Sequence, residues 1–135
     1  MGTVVIITIL LSGIFLIYRF SNKWLRLGAG DATQTALRKI EEGAFILDVR
    51  SKGEFAGGSF PGAVNIPIDL VPSQLGQIPK NRPIVVYCSA GGRSASARDI
   101  LLRNGYSDVT NAGGLNDLLR AKAVFKQGID PKSSQ

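Results

Sequence analysis

The sequence predicts one α/β domain with a mostly parallel sheet flanked by helices, preceded by one transmembrane helix. Three features predict it. From Asp31 onward, short apolar runs bounded by turn residues alternate with stretches of helical periodicity. One of those runs, Ile84-Val85-Val86-Tyr87, is dominated by β-branched residues and does not alternate, as expected of a central parallel strand buried on both faces. Ahead of them all, the first 18 residues (MGTVVIITILLSGIFLIY) carry no charged side chain.

The 18 apolar residues would rise about 27 Å as a helix, slightly short of the roughly 30 Å hydrocarbon core. Arg19 can snorkel and let Phe20 extend the apolar length, so residues 2–20 are assigned as the anchor and 21–30 as a basic juxtamembrane linker. A cleaved secretory signal is the alternative, but it wants its positive charge before the apolar run, and here the bases follow it, with Trp24 among them at the interface. A myristoylation signal fails at Ile6, where Ser or Thr is required. Arg19, Lys23 and Arg26 all lie on the C-terminal side of the run, which places the domain on the cytoplasmic face of a single-pass membrane protein. An unpaired thiol suits that reducing compartment. The arm has no GxxxG pattern, so no specific helix dimer is expected.

Within the domain, assigned to residues 31–126, Asp31 and Gln34 have the spacing of a capping box, and Ala36, Leu37 and Ile40 form a helical stripe that Gly43 ends. Phe45-Ile46-Leu47 reads as a short buried strand running into the polar Asp48-Val49-Arg50. Gly57, Gly58, Pro61 and Gly62 mark an irregular loop before a second strand at 63–66, and Pro67 to Ile78 is predicted to hold a short helix bounded by Pro72 and Pro79. After the strand at 84–87 come Cys88-Ser89-Ala90-Gly91-Gly92 and a helix from Arg93 to Asn104, its stripe formed by Ala97, Ile100 and Leu101. Gly105 is a left-handed stop, with Tyr106 making the accompanying apolar contact. Val109-Thr110 reads as a last strand, Gly113-Gly114 as a turn, Leu115 to Lys122 as the final helix and 127–135 as a polar tail.

Composition narrows the chemistry. The 135 residues are of one-domain size and include 16 Lys and Arg against 10 Asp and Glu, a net charge of +6, with no His and one Cys. Lack of His excludes a Ser-His-Asp triad, a Cys-His dyad and any His-ligated metal. One Cys excludes an internal disulfide and a Cys-only zinc or iron–sulfur site within the chain. No metal or cofactor is expected. Because three of the bases belong to the membrane flank, the rest of the chain is too balanced in charge for a nucleic-acid stripe.

Ligands of open parallel sheets bind beyond the carboxyl ends of the strands, and Cys88 stands at that end of the best strand. The helix that follows presents unpaired N–H groups and a partial positive charge toward the sulfur, which favours thiolate over thiol. Gly91 and Gly92 let the backbone curl into a cradle of N–H groups, Arg93 adds positive charge at the rim, and Ser89 and Ser94 can each donate a further hydrogen bond. A buried cysteine with a purely packing role is the plain alternative. A phosphate-binding loop is disfavoured because no Walker lysine follows the glycines.

The stretch VYCSAGGRS (Val86 to Ser94) resembles the active-site loop of the single-domain rhodaneses, which are thiosulfate sulfurtransferases. LDVRSKGEFAGGSFPGAVNIP (Leu47 to Pro67) resembles that family's first signature, and NGYSDVTNAGGLNDL (Asn104 to Leu118) its C-terminal part. The resemblance spans roughly 31–122 and implies a rhodanese-like fold with a five-stranded, mostly parallel sheet. It implies that Cys88 takes a sulfane sulfur from thiosulfate or a similar anionic donor as a persulfide, held in the Ser89-Ala90-Gly91-Gly92-Arg93-Ser94 loop. Cyanide, a thiol or a protein acceptor would then receive it. Asp48 and Arg50 are assigned by the same resemblance to a polar network that braces the strand end, more structural than catalytic, and Glu54 to a surface or ion-pair position. Ser59 stands where the family often has histidine, and Leu118 or Leu119 near its usual tryptophan.

Two other readings remain open from sequence. A relay or binding module would deliver persulfide to one partner without small-molecule turnover. A phosphatase is disfavoured, because four residues separate Cys88 from Arg93 where phosphatases of this fold use five, and Tyr87 precedes Cys88 where they usually have histidine.

Overall fold

The computed structural model describes residues 13–14 and 32–127. The anchor, the linker, the Asp31 cap and nearly all of the tail fall outside the described residues. Residues 13–14 are helical, and among the described residues no helix is long and apolar enough to cross a membrane.

Four parallel strands form the sheet: β1 (Phe45–Asp48), β2 (Val64–Asn65), β3 (Ile84–Cys88) and β4 (Val109–Gly114), in the order β2-β1-β3-β4. They correspond to the four apolar runs of the sequence. The fifth strand implied by the family resemblance is not among the described residues, where every other segment is helical, turn or loop.

The helices are α1 (32–41), α2 (Lys52–Ala56), α3 (Gly92–Arg103) and α4 (Leu115–Lys126). α4 runs a full turn past the expected Lys122, since nothing in Ala123-Val124-Phe125 breaks it. The segment expected to hold a short helix between Pro72 and Pro79 forms instead two 3₁₀ pieces, Ile68–Ser73 and Leu75–Gln77. Pro72 lies inside the first and has no N–H to close an α-helical bond, so the chain stays in short, tight turns. Gly113-Gly114 belongs to the end of β4 rather than to a separate turn.

β1 and β3 are buried along their whole length because both faces of the sheet are covered. On one face Phe45, Leu47, Ile84, Val86 and Cys88 pack with Ala97 and Leu101 of α3 and with Val71 and Ile78. On the other, Ile46, Val85 and Tyr87 meet Ala36 and Leu37 of α1 and Leu118 of α4. Cys88 thus lies on the α3 face at the carboxyl end of a central strand, directly opposite Gly114 in the parallel register. α3 ends as expected: Gly105 is left-handed at φ 88° and the Tyr106 amide returns to the Leu101 carbonyl at 3.2 Å.

Tyr87 ties the second face to the loop after α2, its hydroxyl accepting from the Phe60 amide at 2.9 Å. Burial, followed by its hydrogen bond to the Asp48 carboxylate, pushes the phenol up to about 12. Tyr87→Phe leaves that buried amide without its acceptor and is expected to cost about 1–3 kcal/mol in urea unfolding. An unchanged midpoint would show that the amide finds another partner.

Candidate active site

β3 delivers Cys88 to a loop that reverses at once into α3, and the reversal depends on glycine. Gly91 caps α3 in the left-handed region, φ 103°, and lies so near β4 that a Cβ on it would stand 3.4 Å from the Gly113 Cα. Gly114 is more constrained, since a Cβ there would lie 2.4 Å from the Ser89 carbonyl oxygen. The end of β4 therefore presses against the cysteine loop where only hydrogen fits.

The Cys88 side chain is 1 % exposed, but its surroundings are polar where the loop closes over it. The Gly91 amide donates to Sγ at 3.0 Å and the Ser94 hydroxyl lies 3.4 Å away. Burial is the largest single influence on the thiol and opposes ionisation. The Ser94 hydroxyl and the backbone amides of Ser94, Ala90 and Gly91 together outweigh it, and the pKa falls below the ordinary thiol value.

Ser94 is itself buried and has three neighbours for its one proton: Cys88 Sγ, the Gly91 carbonyl at 3.0 Å and the Asn111 Oδ1 at 2.7 Å. The Asn111 amide is fixed by its own bonds, accepting from the Gly113 N–H at 2.9 Å and donating to the Gly91 carbonyl at 3.2 Å. The Ser94 hydroxyl can therefore give its proton to Asn111 while Cys88 is a thiol and turn it to sulfur when Cys88 ionises.

Ser89 and Arg93 face another way. Arg93 grips the Glu54 carboxylate with both terminal nitrogens, Nη1 to Oε1 at 2.7 Å and Nη2 to Oε2 at 3.1 Å. The Ser89 hydroxyl donates to Glu54 Oε2 at 2.6 Å and accepts from Arg93 Nη2 at 3.1 Å. The Arg93 guanidinium, and then the Ser89 hydroxyl, hold the Glu54 carboxyl far below the usual carboxylate range. Ser89 thus does not serve the sulfur as expected, and the rim charge of Arg93 is paired. Ala90 and Gly92 are exposed in the loop, the former acting through its amide and the latter opening α3.

Asp48 and Arg50 form a separate, buried brace. Arg50 donates Nε to both Asp48 oxygens at 3.0 Å and Nη2 to Oδ2 at 2.6 Å, and its second bond from Nη2 reaches the Gly58 carbonyl at 2.7 Å. Hydrogen bonding to Asp48 raises the Arg50 pKa. The pair ties the end of β1 to the loop after α2 and lies under Tyr87, whose ring centroid is 5.6 Å from the guanidinium carbon.

Glu54 is an ion-pair residue as expected, but sequence did not give Arg93 as its partner, and Asn111 was not singled out at all. Glu54 announces only its local job, as the third residue of a capping box with Ser51, whose hydroxyl accepts from its amide at 3.2 Å. That α2 turns the same side chain toward the cysteine loop is a tertiary fact. Asn111 sits two residues before Gly113-Gly114 in a strand, an unfavourable place for asparagine, and that misfit is the one signal that pointed to it.

A parallel α/β domain that holds a cysteine in an amide-lined loop at the carboxyl end of a central strand defines a class of proteins. Within that class, the description "Rhodanese-like domain" matches residues 32–121, and the chain belongs to that family. It is 40 % identical over 78 residues to the thiosulfate sulfurtransferase PspE of Escherichia coli, covering 56 % of this chain and 75 % of the relative. It is 38 % identical over 73 residues to a sulfurtransferase of Allochromatium vinosum, covering 54 % and 68 %. Among solved structures, SSP1007 of Staphylococcus saprophyticus superposes with a TM-score of 0.57 at 34 % identity, over 64 % of this chain and 88 % of that one.

Ser94→Ala removes the hydroxyl that helps hold the anion, so the Cys88 pKa is expected to rise. In the wild type, the iodoacetamide alkylation rate should climb with pH to a plateau below the range of a free thiol, and in the variant the climb should move to higher pH. Coincident profiles would remove Ser94 from the stabilisation of the thiolate.

Proposed function

We propose that this chain is a membrane-anchored sulfurtransferase in which the Cys88 thiolate attacks the outer sulfur of thiosulfate or a similar anionic donor. The sulfur–sulfur bond of the donor breaks, sulfite leaves with the bonding pair, and Cys88 retains the sulfane sulfur as an anionic persulfide. An acceptor nucleophile, cyanide or a thiol of a small molecule or protein, then attacks that outer sulfur, and the bonding pair returns to Cys88 Sγ. The observation that carries the reading is the placement of Sγ, buried yet within 3.0 Å of the Gly91 amide and 3.4 Å of the Ser94 hydroxyl. These donors serve the thiolate both as attacking group and as leaving group, and their amide dipoles need no reorganisation between the two steps. The names of the relatives support the same chemistry.

Since Cys88 is the one cysteine of the chain, no internal thiol can resolve the persulfide, and the acceptor comes from outside. Incubation with thiosulfate is expected to add one sulfur atom to the intact mass of the wild type and none to Cys88→Ser. A wild-type cysteine that stays alkylatable but never gains sulfur would overturn the donor assignment. Turnover with cyanide supports an enzyme, whereas loading without turnover would point to a relay that serves one protein acceptor.

The membrane assignment rests on the uncharged run and the three bases after it. The full chain is expected in the membrane fraction after carbonate washing, with a C-terminal reporter active on the cytoplasmic side. Recovery as a washed-off protein, or a reporter active on the far side, would reverse the corresponding half of that assignment.

A further inference from the structure

The receptor formed by Arg93 and Ser89 already holds an anion, and that anion is part of the chain. Five donors converge on the Glu54 carboxylate: both terminal nitrogens of Arg93 and the Ser89 hydroxyl from the cysteine loop, and the amide and hydroxyl of Ser51 from its own cap. Ser89 and Arg93 both belong to the loop that surrounds Cys88, and Arg93 stands near enough to Cys88 for their charges to interact. The pair is also partly exposed, with side-chain exposures of 39 % for Arg93 and 36 % for Glu54, so solvent and solutes reach it. A carboxylate and a sulfonate present the same pattern to a guanidinium, two or more oxygens in one plane with negative charge.

We propose that Glu54 is a specificity-determining residue that occupies, as a built-in competitor, the Arg93–Ser89 receptor for the anionic group of the sulfur donor. The proposal rests on the sulfurtransferase reading and adds the substrate class at its mouth: donors whose sulfane sulfur is carried next to a sulfonate or carboxylate. Such a donor exchanges with Glu54 on the receptor, two negative oxygens leaving as two arrive, so the guanidinium stays paired throughout. A donor with no anionic group has nothing to offer in that exchange and meets a closed ion pair. Because Glu54 also caps α2, its Oε1 is held at the same time by Ser51, with Ser51 Oγ at 3.1 Å and the Ser51 amide at 3.3 Å, and the carboxylate keeps these partners when Arg93 turns to the donor.

Glu54→Gln tests this without disturbing the helix, since glutamine serves equally at that position of a capping box. The neutral amide competes poorly for Arg93, so the KM for thiosulfate is expected to fall about two- to fivefold, the range of an exposed ion pair. The inhibition constant of methanesulfonate, which binds as an anion but carries no sulfane sulfur, should fall by the same factor. General damage to the loop raises both constants and so cannot mimic the improvement. The measurements separate this proposal from the one beneath it. If wild-type Cys88 loads sulfur from thiosulfate but Glu54→Gln leaves both constants unchanged or higher, Glu54 is not a competitor. If neither protein loads sulfur while methanesulfonate still slows Cys88 alkylation more strongly in Glu54→Gln, the receptor stands and the donor assignment falls.

Discussion

A sulfur atom removed from water can hold negative charge only where protein dipoles take over the work of solvation, and the whole carboxyl end of this sheet is arranged around that constraint. Burial of Cys88 alone would keep it a thiol. The reversal comes from several modest donors acting at once: the Gly91 amide, the Ser94 hydroxyl, and the amides of Ala90 and Ser94. Each depends on the loop turning sharply enough to aim its N–H groups inward, and that turn passes through a left-handed Gly91. Gly114 supports the turn from outside by letting β4 come up against the Ser89 carbonyl without a side chain between them. The lowered pKa of Cys88 is thus a product of the Ser94 hydroxyl and of backbone geometry, reached in a chain with no histidine.

The geometry in turn rests on topology. With all strands parallel, β1, β3 and β4 end on the same edge, and the chain must leave that edge by loops. The loop from β1 carries Arg50 and leads into α2 with Glu54, the loop from β3 carries the cysteine cradle, and the end of β4 carries Asn111 and the two glycines. Two-sided burial of β3 holds this edge in register, since sliding the strand by one residue would exchange the α3 face for the α1 and α4 face and move Cys88 away from its helix. The polar groups of the edge are matched in the same economical way: among the described residues, no buried side-chain nitrogen or oxygen lacks a partner.

How much of this could be read in advance divides along physical lines. The strand at 84–87, the glycine stop at Gly105 and the cysteine loop were legible because each is a local rule: β-branched runs, left-handed glycine, and a small-residue turn ahead of a helix. The 3₁₀ pieces at 68–77 were misjudged because periodicity and flanking prolines do not distinguish a short α-helix from tighter turns. Residue types hinted at a brace in Asp48 and Arg50, but its bond to the Gly58 carbonyl needed the fold. Asn111 and the pairing of Glu54 with Arg93 were not legible in the sequence for a common reason. Each has a complete local explanation, one as a helix cap and one as a strand residue before glycine, while its role at the site is set by a partner dozens of residues away or on another element.

The two arginines at the strand ends show how burial assigns different tasks to the same side chain. Arg50 is nearly sealed, grips Asp48 through two of its nitrogens, and is bonded further to a backbone carbonyl. Stripping one partner from a buried pair of this kind costs about 3–5 kcal/mol, because the other charge is left without water. Sealed in this way, Arg50 is out of reach of a small anion in solution. Arg93 makes an equally well-formed grip on Glu54, yet both partners stand partly in solvent, where screening and hydration leave little net preference for one carboxylate over another anion. Its good geometry therefore selects the shape of what it binds, while its exposure keeps the bond exchangeable. The sulfur transfer proposed above admits an anion beside an anionic sulfur and then releases a second anion, which calls for a positive group that is always paired but never permanently so, and of the two only Arg93 meets that requirement.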